Sequence, residues 1–435
     1  MTYDHPMTRP VRHALPRVLV ILALSVASAV ALGYPIDAYE ETGIGRLEGY
    51  RLASEGKITG NWLPSGAKLG RDQIRLRLTD QPDFEIPPAD AELTRAIVDL
   101  LGESARHTSV SVLDLSDPQA PVYAEHNGRA LRNPGSVGKI MLVTALLQAL
   151  ADLHPDDIEA RKRLLRETQV TADAFIRHDD HDVPIWRPEI NRIVRRPLRE
   201  GDVANLWTYL DWTLSASSNA AASTVMKQLM LIRHFGADYP VSADDELTLF
   251  RDMPYKERSA LLLDSLLSPL ERNGLDPDQL RQGAFFTYEG KRRVGGTTST
   301  STVRELARLL VHMEKGELVD AWSSRELKRL LYMTQRRIRY AASPALSDAA
   351  LYFKSGSLYK CDRTLDPNCG KYEGNVYNLM NSVAIVESPA GEPRMFYLVA
   401  LTSNVVGKNS AVEHQTFATR LHRLLKARQS VPASP

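Results

Sequence analysis

The stretch RNPGSVGKIMLVTALLQAL, residues 132–150, constrains the fold of this chain more than any other. As a helix it is apolar on nearly every side, through Val137, Ile140, Met141, Leu142, Val143, Ala145, Leu146, Leu147 and Leu150. Such a helix belongs in a core, not on a surface. Yet its first turn carries Ser136 and Lys139. At i and i+3 their side chains share one face, a turn apart. The helix N-terminus favours negative charge developing on the serine oxygen. Burial disfavours an ammonium, which makes a neutral amine base available. Asn133-Pro134-Gly135 is a turn that could aim the serine into a cleft.

S-x-x-K starts at Ser54, Ser65, Ser136 and Ser357, and only Ser136 opens a long apolar helix. A helix cap followed by a snorkelling lysine fits the same residues, so the assignment rests on two later motifs. Ser217-Ser218-Asn219 is the only S-x-N, and it follows the helical pattern GDVANLWTYLDWTL, 201–214. Lys354-Ser355-Gly356 is the only K-[ST]-G, and it lies on a strand pattern. Period two puts Lys354 and Gly356 on one side of that strand, and glycine there lets a substrate backbone approach closely.

The periodicities predict a helix over ADAELTRAIVDLLG (89–102), then strands over 108–117 and 121–127. A mostly helical middle runs from 136 to about 333. Thr302-Val303-Arg304-Glu305 has the form of a capping box, with Val303, Leu306, Leu309 and Leu310 behind it. Strands return over 349–360, 378–388 and 394–404. A last helix starts at Ser410 and docks through Val412, Phe417, Leu421, Leu424 and Leu425. Strands at both ends bracketing a helical middle imply an α+β fold. One antiparallel sheet is flanked by the terminal helices, with an all-helical subdomain beside it and a cleft between them.

With three motifs in this order and context, the chain resembles the class A β-lactamase-like branch of the serine β-lactamase and penicillin-binding-protein superfamily, over about residues 89–427. The resemblance implies a serine hydrolase that forms an acyl-enzyme with a β-lactam or a D-Ala-D-Ala-type peptidoglycan stem peptide, without a cofactor. Ser136 would be the acylated nucleophile and Lys139 its base. Ser217 would relay a proton to the leaving nitrogen, and Asn219 would hold the substrate amide. Lys354 and Ser355 would bind the substrate carboxylate. The backbone N–H groups of Ser136 and Ser357 would form the oxyanion hole.

One part of the family pattern is missing. Class A enzymes carry a deacylating glutamate in an E-x-x-L-N loop between S-x-N and K-T-G, and no such loop stands between Asn219 and Lys354. Glu246, Glu257, Glu271 and Glu289 fall in the interval, with nothing in the sequence to prefer one. Trp186–Asn191 looks like the loop, but it precedes S-x-N and has Arg187 where the glutamate would stand. The competing reading is a retired fold serving as a membrane-anchored binding module, although a retired site has no physical need for a buried lysine.

The basic flank Arg9, Arg12, Arg17 and the uncharged run 18–34 read as an export signal, cleaved after Ala31, or as a membrane anchor. Residues 1–34 are therefore assigned to that segment, 35–88 to a stalk or extension, 89–427 to the hydrolase-like domain and 428–435 to a tail. The main part of the chain is expected outside the cytoplasm, touching a membrane only through the N-terminal segment. Cys361 and Cys369, the only cysteines, are expected to pair in that compartment. Within residues 35–88, DQIRLRLTD is one plausible strand. A net charge of +1 over 435 residues excludes the basic bias of a nucleic-acid partner. His178-Asp179-Asp180-His181-Asp182 is read as a polar loop, not a metal site. Lys291-Arg292-Arg293 and Arg336-Arg337-Ile338-Arg339 are read as solvated faces.

Overall fold

The computed structural model describes Met1 and residues 35–59, 63–334 and 337–429. The reading of residues 2–34 as signal or anchor lies outside the described residues, as do residues 430–435 of the tail.

Strands β1 (Thr108–Asp114), β2 (Val122–His126), β3 (Ala350–Lys360), β4 (Tyr377–Ser388) and β5 (Met395–Asn404) form one sheet in the order β2-β1-β5-β4-β3. Every neighbouring pair is antiparallel. The two ends of the domain meet where β1 pairs with β5, Val112 opposite Val399. Alternation along the strands separates two cores. On one face Val110, Val112, Ala384, Val386, Val399 and Leu401 pack against helices α1 (Ala91–Leu101) and α8 (Ser410–Gln429) through Leu93, Ile97, Phe417, Leu421 and Leu425. On the other, Leu113, Val383, Ile385, Leu398 and Ala400 join the larger core around helix α2 (Gly138–Leu153).

Helix α2 is buried from Gly138 to Leu150. Its apolar girth is explained by what surrounds it: α3 (Leu206–Leu214), α4 (Asn219–Phe235), α5 (Tyr255–Arg272) and α7 (Ala321–Tyr332). Helix α6 (Val303–Lys315) packs across β5 and β1. Three elements differ from the sequence reading in detail. Helix α3 starts at Leu206, because the Asn205 side chain caps it at Thr208 N while Val203–Asn205 pairs as a short strand. Thr302 caps α6 at Glu305 N, but the Glu305 side chain accepts from Asp276 N and does not close the box. Val412 is 56% exposed and takes no part in docking α8.

The stretch DQIRLRLTD is not a strand. Its backbone finds partners in the helical layer, where Leu78 N donates to Glu314 O and Arg75 O accepts from Lys328 Nζ. Ile74 and Leu78 are buried there. More of the N-terminal segment shares this core. Arg46, fully buried, pairs with the equally buried Asp211 of α3, and Ile44 and Leu47 are inaccessible. Trp186 lies on the hairpin Val183–Arg187/Arg192–Arg196 and covers Gly45 and Gly49.

Candidate active site

Ser136 stands on the 3-10 turn Gly135–Val137 that leads into α2, and Lys139 is one turn on. The Lys139 amine is wholly buried and reaches Ser136 Oγ at 2.9 Å, Ser217 O at 2.9 Å and Asn219 Oδ1 at 2.7 Å. Two of these three neighbours can only accept hydrogen bonds. A neutral lysine has two N–H bonds and one lone pair. The N–H bonds go to the two obligate acceptors, so the lone pair faces Ser136 Oγ. Burial lowers the Lys139 pKa to about 7, against an opposing pull from Asp179. Phe286 roofs the amine, its ring centroid 4.5 Å from Nζ.

Ser217 has a left-handed backbone, φ +58°, in the link between α3 and α4. This conformation sends its carbonyl to Lys139 and its hydroxyl to Lys354, whose Nζ donates to Ser217 Oγ at 2.8 Å. Ser218 caps α4 at Ala221 N. Its hydroxyl donates to Asp179 Oδ2, which also accepts from Ala220 N, while Asp179 Oδ1 takes His181 Nδ1 at 2.5 Å. The polar loop of His178–Asp182 therefore steadies the link that carries Ser217 and Asn219. Lys354 is also buried, and its pKa lies well below an ordinary lysine's, chiefly through burial and then through repulsion from Lys139 and Arg339.

Gly356 fits the nucleophile's own turn. A Cβ there would stand 2.4 Å from Pro134 O and 2.6 Å from Ser136 N. In sequence this smallness reads as room for an approaching substrate; in the structure β3 uses it to press against the Ser136 turn. Ser357 follows on the same strand, and its amide nitrogen lies at the Gly135 side of that turn. Cys361 and Cys369 are joined in a disulfide just past β3.

Sequence reasoning missed two residues. Arg339 was counted with a solvated basic face, but its guanidinium donates to Ser355 Oγ at 2.7 Å, Ser357 Oγ at 3.1 Å and Tyr372 Oη at 3.0 Å. All three acceptors are hydroxyls, and among the described residues it makes no carboxylate pair. A basic run does not reveal which of its members turns inward; only the +55° φ of Arg339, invisible in sequence, does so. Its neighbour Arg337 donates to Leu346 O and Ala349 O, and Arg292 and Arg293 pair with Glu289. The second missed residue is Gln282. Its side chain fills the space beside Gly138, and its Oε1 is buried without a hydrogen-bond partner.

The candidate glutamates are accounted for elsewhere. Glu246 pairs with Lys227, Glu289 pairs with Arg292 and Arg293, and Glu257 and Glu271 are exposed. Of Trp186–Asn191, Trp186 and Arg187 end the first strand of the hairpin, opposite Ile193 and Arg192, and residues 188–191 make its turn.

This architecture is an α+β fold of the β-lactamase/transpeptidase kind. The crystal structure of TLA-3 extended-spectrum β-lactamase superposes with a TM-score of 0.50 at 13% identity, covering 77% of this chain and 98% of that one. A representative class A β-lactamase from Bacteroides cellulosilyticus gives 0.49 at 15% identity, covering 77% and 96%. The structure of PBP-A gives 0.48 at 13% identity, covering 79% and 100%. No family model and no curated protein matches the chain.

Proposed function

We propose that this protein is an exported serine hydrolase that forms an acyl-enzyme at Ser136. The observation that carries the reading is the Lys139 amine: buried, with a pKa of about 7, and with two obligate acceptors that leave its lone pair for Ser136 Oγ. Lys139 takes the Ser136 proton as Oγ attacks the scissile carbonyl carbon. The Ser136 and Ser357 N–H groups receive the oxyanion. Ser217 delivers a proton to the leaving nitrogen, with Lys354 behind it, and Asn219 holds the substrate amide. Lys354 and Arg339 converge on Ser355 without a carboxylate between them, which suits a substrate carboxylate close to the scissile bond. A β-lactam and a D-Ala-D-Ala-type stem peptide both present one.

Acylation has its base in Lys139, while among the described residues no carboxylate is hydrogen-bonded to that base or to the nucleophile, which supports deacylation as the slow half. A long-lived acyl-enzyme follows, as in a penicillin-binding peptidase. The N-terminal run 18–34, as signal or anchor, delivers the domain to the compartment where such substrates and the Cys361–Cys369 disulfide occur.

Incubation of the chain lacking residues 1–34 with a fluorescent penicillin, beside its Ser136→Ala variant, tests this reading. Label that depends on Ser136 and persists for many minutes is expected. Label independent of Ser136, or no label and no hydrolysis of a chromogenic cephalosporin, would leave a binding module in its place.

A further inference from the structure

We propose that Tyr372, carried by the loop 361–376 three residues beyond its Cys361–Cys369 disulfide, is a positioning residue for Arg339 and thereby sets the preference for a substrate carboxylate. The inference rests on the acyl-enzyme reading but concerns a residue outside its motifs. Strands β3 and β4 are joined by residues 361–376, where a tight hairpin would need two. The loop is fastened at several points. Cys361 is bonded to Cys369. Asp362 and Asn375 exchange hydrogen bonds at 2.7 and 2.8 Å. Tyr372 O accepts from Ser410 N at 3.0 Å and Ser410 Oγ at 3.1 Å, at the start of α8, and Gly374 O accepts from Gly407 N.

These ties hold Tyr372 at φ +67°, a backbone a tyrosine adopts only when its surroundings impose it. The result is a phenol set against Arg339. Its oxygen is 3.0 Å from an Arg339 nitrogen and its ring centroid 4.7 Å from Arg339 Cζ. Tyr359, next but one to Ser357 on β3, meets the ring edge-on at 5.8 Å between centroids.

The other two Arg339 partners, Ser355 and Ser357, belong to the strand on which the substrate lies. A carboxylate arriving there competes for the same N–H groups. Tyr372 is the partner that stays. It keeps the guanidinium in plane and on station while the serine contacts exchange for the substrate, and stacking and hydrogen bonding together do this better than either alone. A further donor is available as well, since the Tyr372 O–H proton is not used in accepting from Arg339.

The test compares benzylpenicillin with its methyl ester. In the otherwise wild-type protein, Tyr372→Phe is expected to lower the second-order acylation rate about tenfold for the acid and to leave the ester within twofold. The Cys361→Ser/Cys369→Ser double variant is expected to shift the acid in the same direction. Thermal unfolding of each variant separates loss of fold from loss of recognition. A Ser136→Ala background gives an arm independent of acylation: calorimetric binding of the intact acid is expected to weaken about tenfold on adding Tyr372→Phe, and binding of the ester to stay unchanged. Equal losses for acid and ester, or no loss for either, would overturn the role of Tyr372. Absence of acylation in the wild type with acid-selective binding intact would overturn the enzyme reading and leave Tyr372 standing.

Discussion

If Lys139 is the base, acylation must follow its titration, and the structure sets where. With a pKa of about 7, about a tenth of Lys139 is neutral at pH 6, about half at pH 7 and about nine tenths at pH 8. The acylation rate constant is therefore expected to rise about tenfold from pH 6 to pH 8 and then level off. A lysine at its ordinary pKa would give about a hundredfold rise over the same span and no plateau. The assay is stopped-flow acylation by a fluorescent penicillin in buffers of constant ionic strength. Lys354→Arg serves as a control, since arginine does not titrate there, and the limb near pH 7 should persist in it. The same group has a signature in stability. Between pH 7 and 10.5 the folded protein binds fewer protons at Lys139 than the unfolded chain, so unfolding free energy rises with pH across that window. From pH 7 to pH 9 the gain from Lys139 is about 2 kcal/mol; Lys354 adds a rise of its own in both proteins, so urea denaturation should show the wild type gaining more over this span than Lys139→Met. A rate that climbs tenfold per pH unit through pH 9, or equal pH slopes of stability in the two proteins, would refute the reasoning.

Other consequences are as direct. Arg46→Ala should destabilise the domain by about 3–5 kcal/mol in urea, because Asp211 would stay buried without its partner; replacing both with apolar residues should recover most of the loss. Gly356→Ala should slow acylation about a hundredfold while the thermal transition moves by only a few degrees, since the added methyl pushes on Pro134 O and Ser136 N. Gln282→Glu puts a carboxylate beside the helix turn of Ser136 and Lys139, and loss of bound penicillin label should quicken by about 10²-fold. Label decay followed on a gel or by mass spectrometry would read that directly.

Much of this protein is determined by the sequence alone. Helix α2 has to be internal because no face of it suits water; whether Lys139 in its first turn snorkels or is desolvated was settled by the packing, which buries it. The alternating strands 108–114, 350–360, 377–388 and 395–404 carry their two-core arrangement in their period. Local chemistry also writes the cap at Thr302. Side-chain identity and spacing over a few residues are enough for the helix, the strands and the cap.

What depends on contacts far apart in the chain was decided only by the tertiary structure. Arg339 is one arginine in a basic run until a left-handed backbone turns it onto Ser355 and Ser357. Tyr372 is a loop residue until Ser410 holds its carbonyl and its phenol is seen against Arg339. Gly356 is a flexible position until Pro134 O is seen where its Cβ would be. The strand expected at DQIRLRLTD fails for the same reason: its alternation is real, but Glu314 and Lys328, not another strand, satisfy its backbone. Local pattern states what a segment can bury; only the packed chain states which distant groups meet it, and the chemistry of this site is made at those meetings.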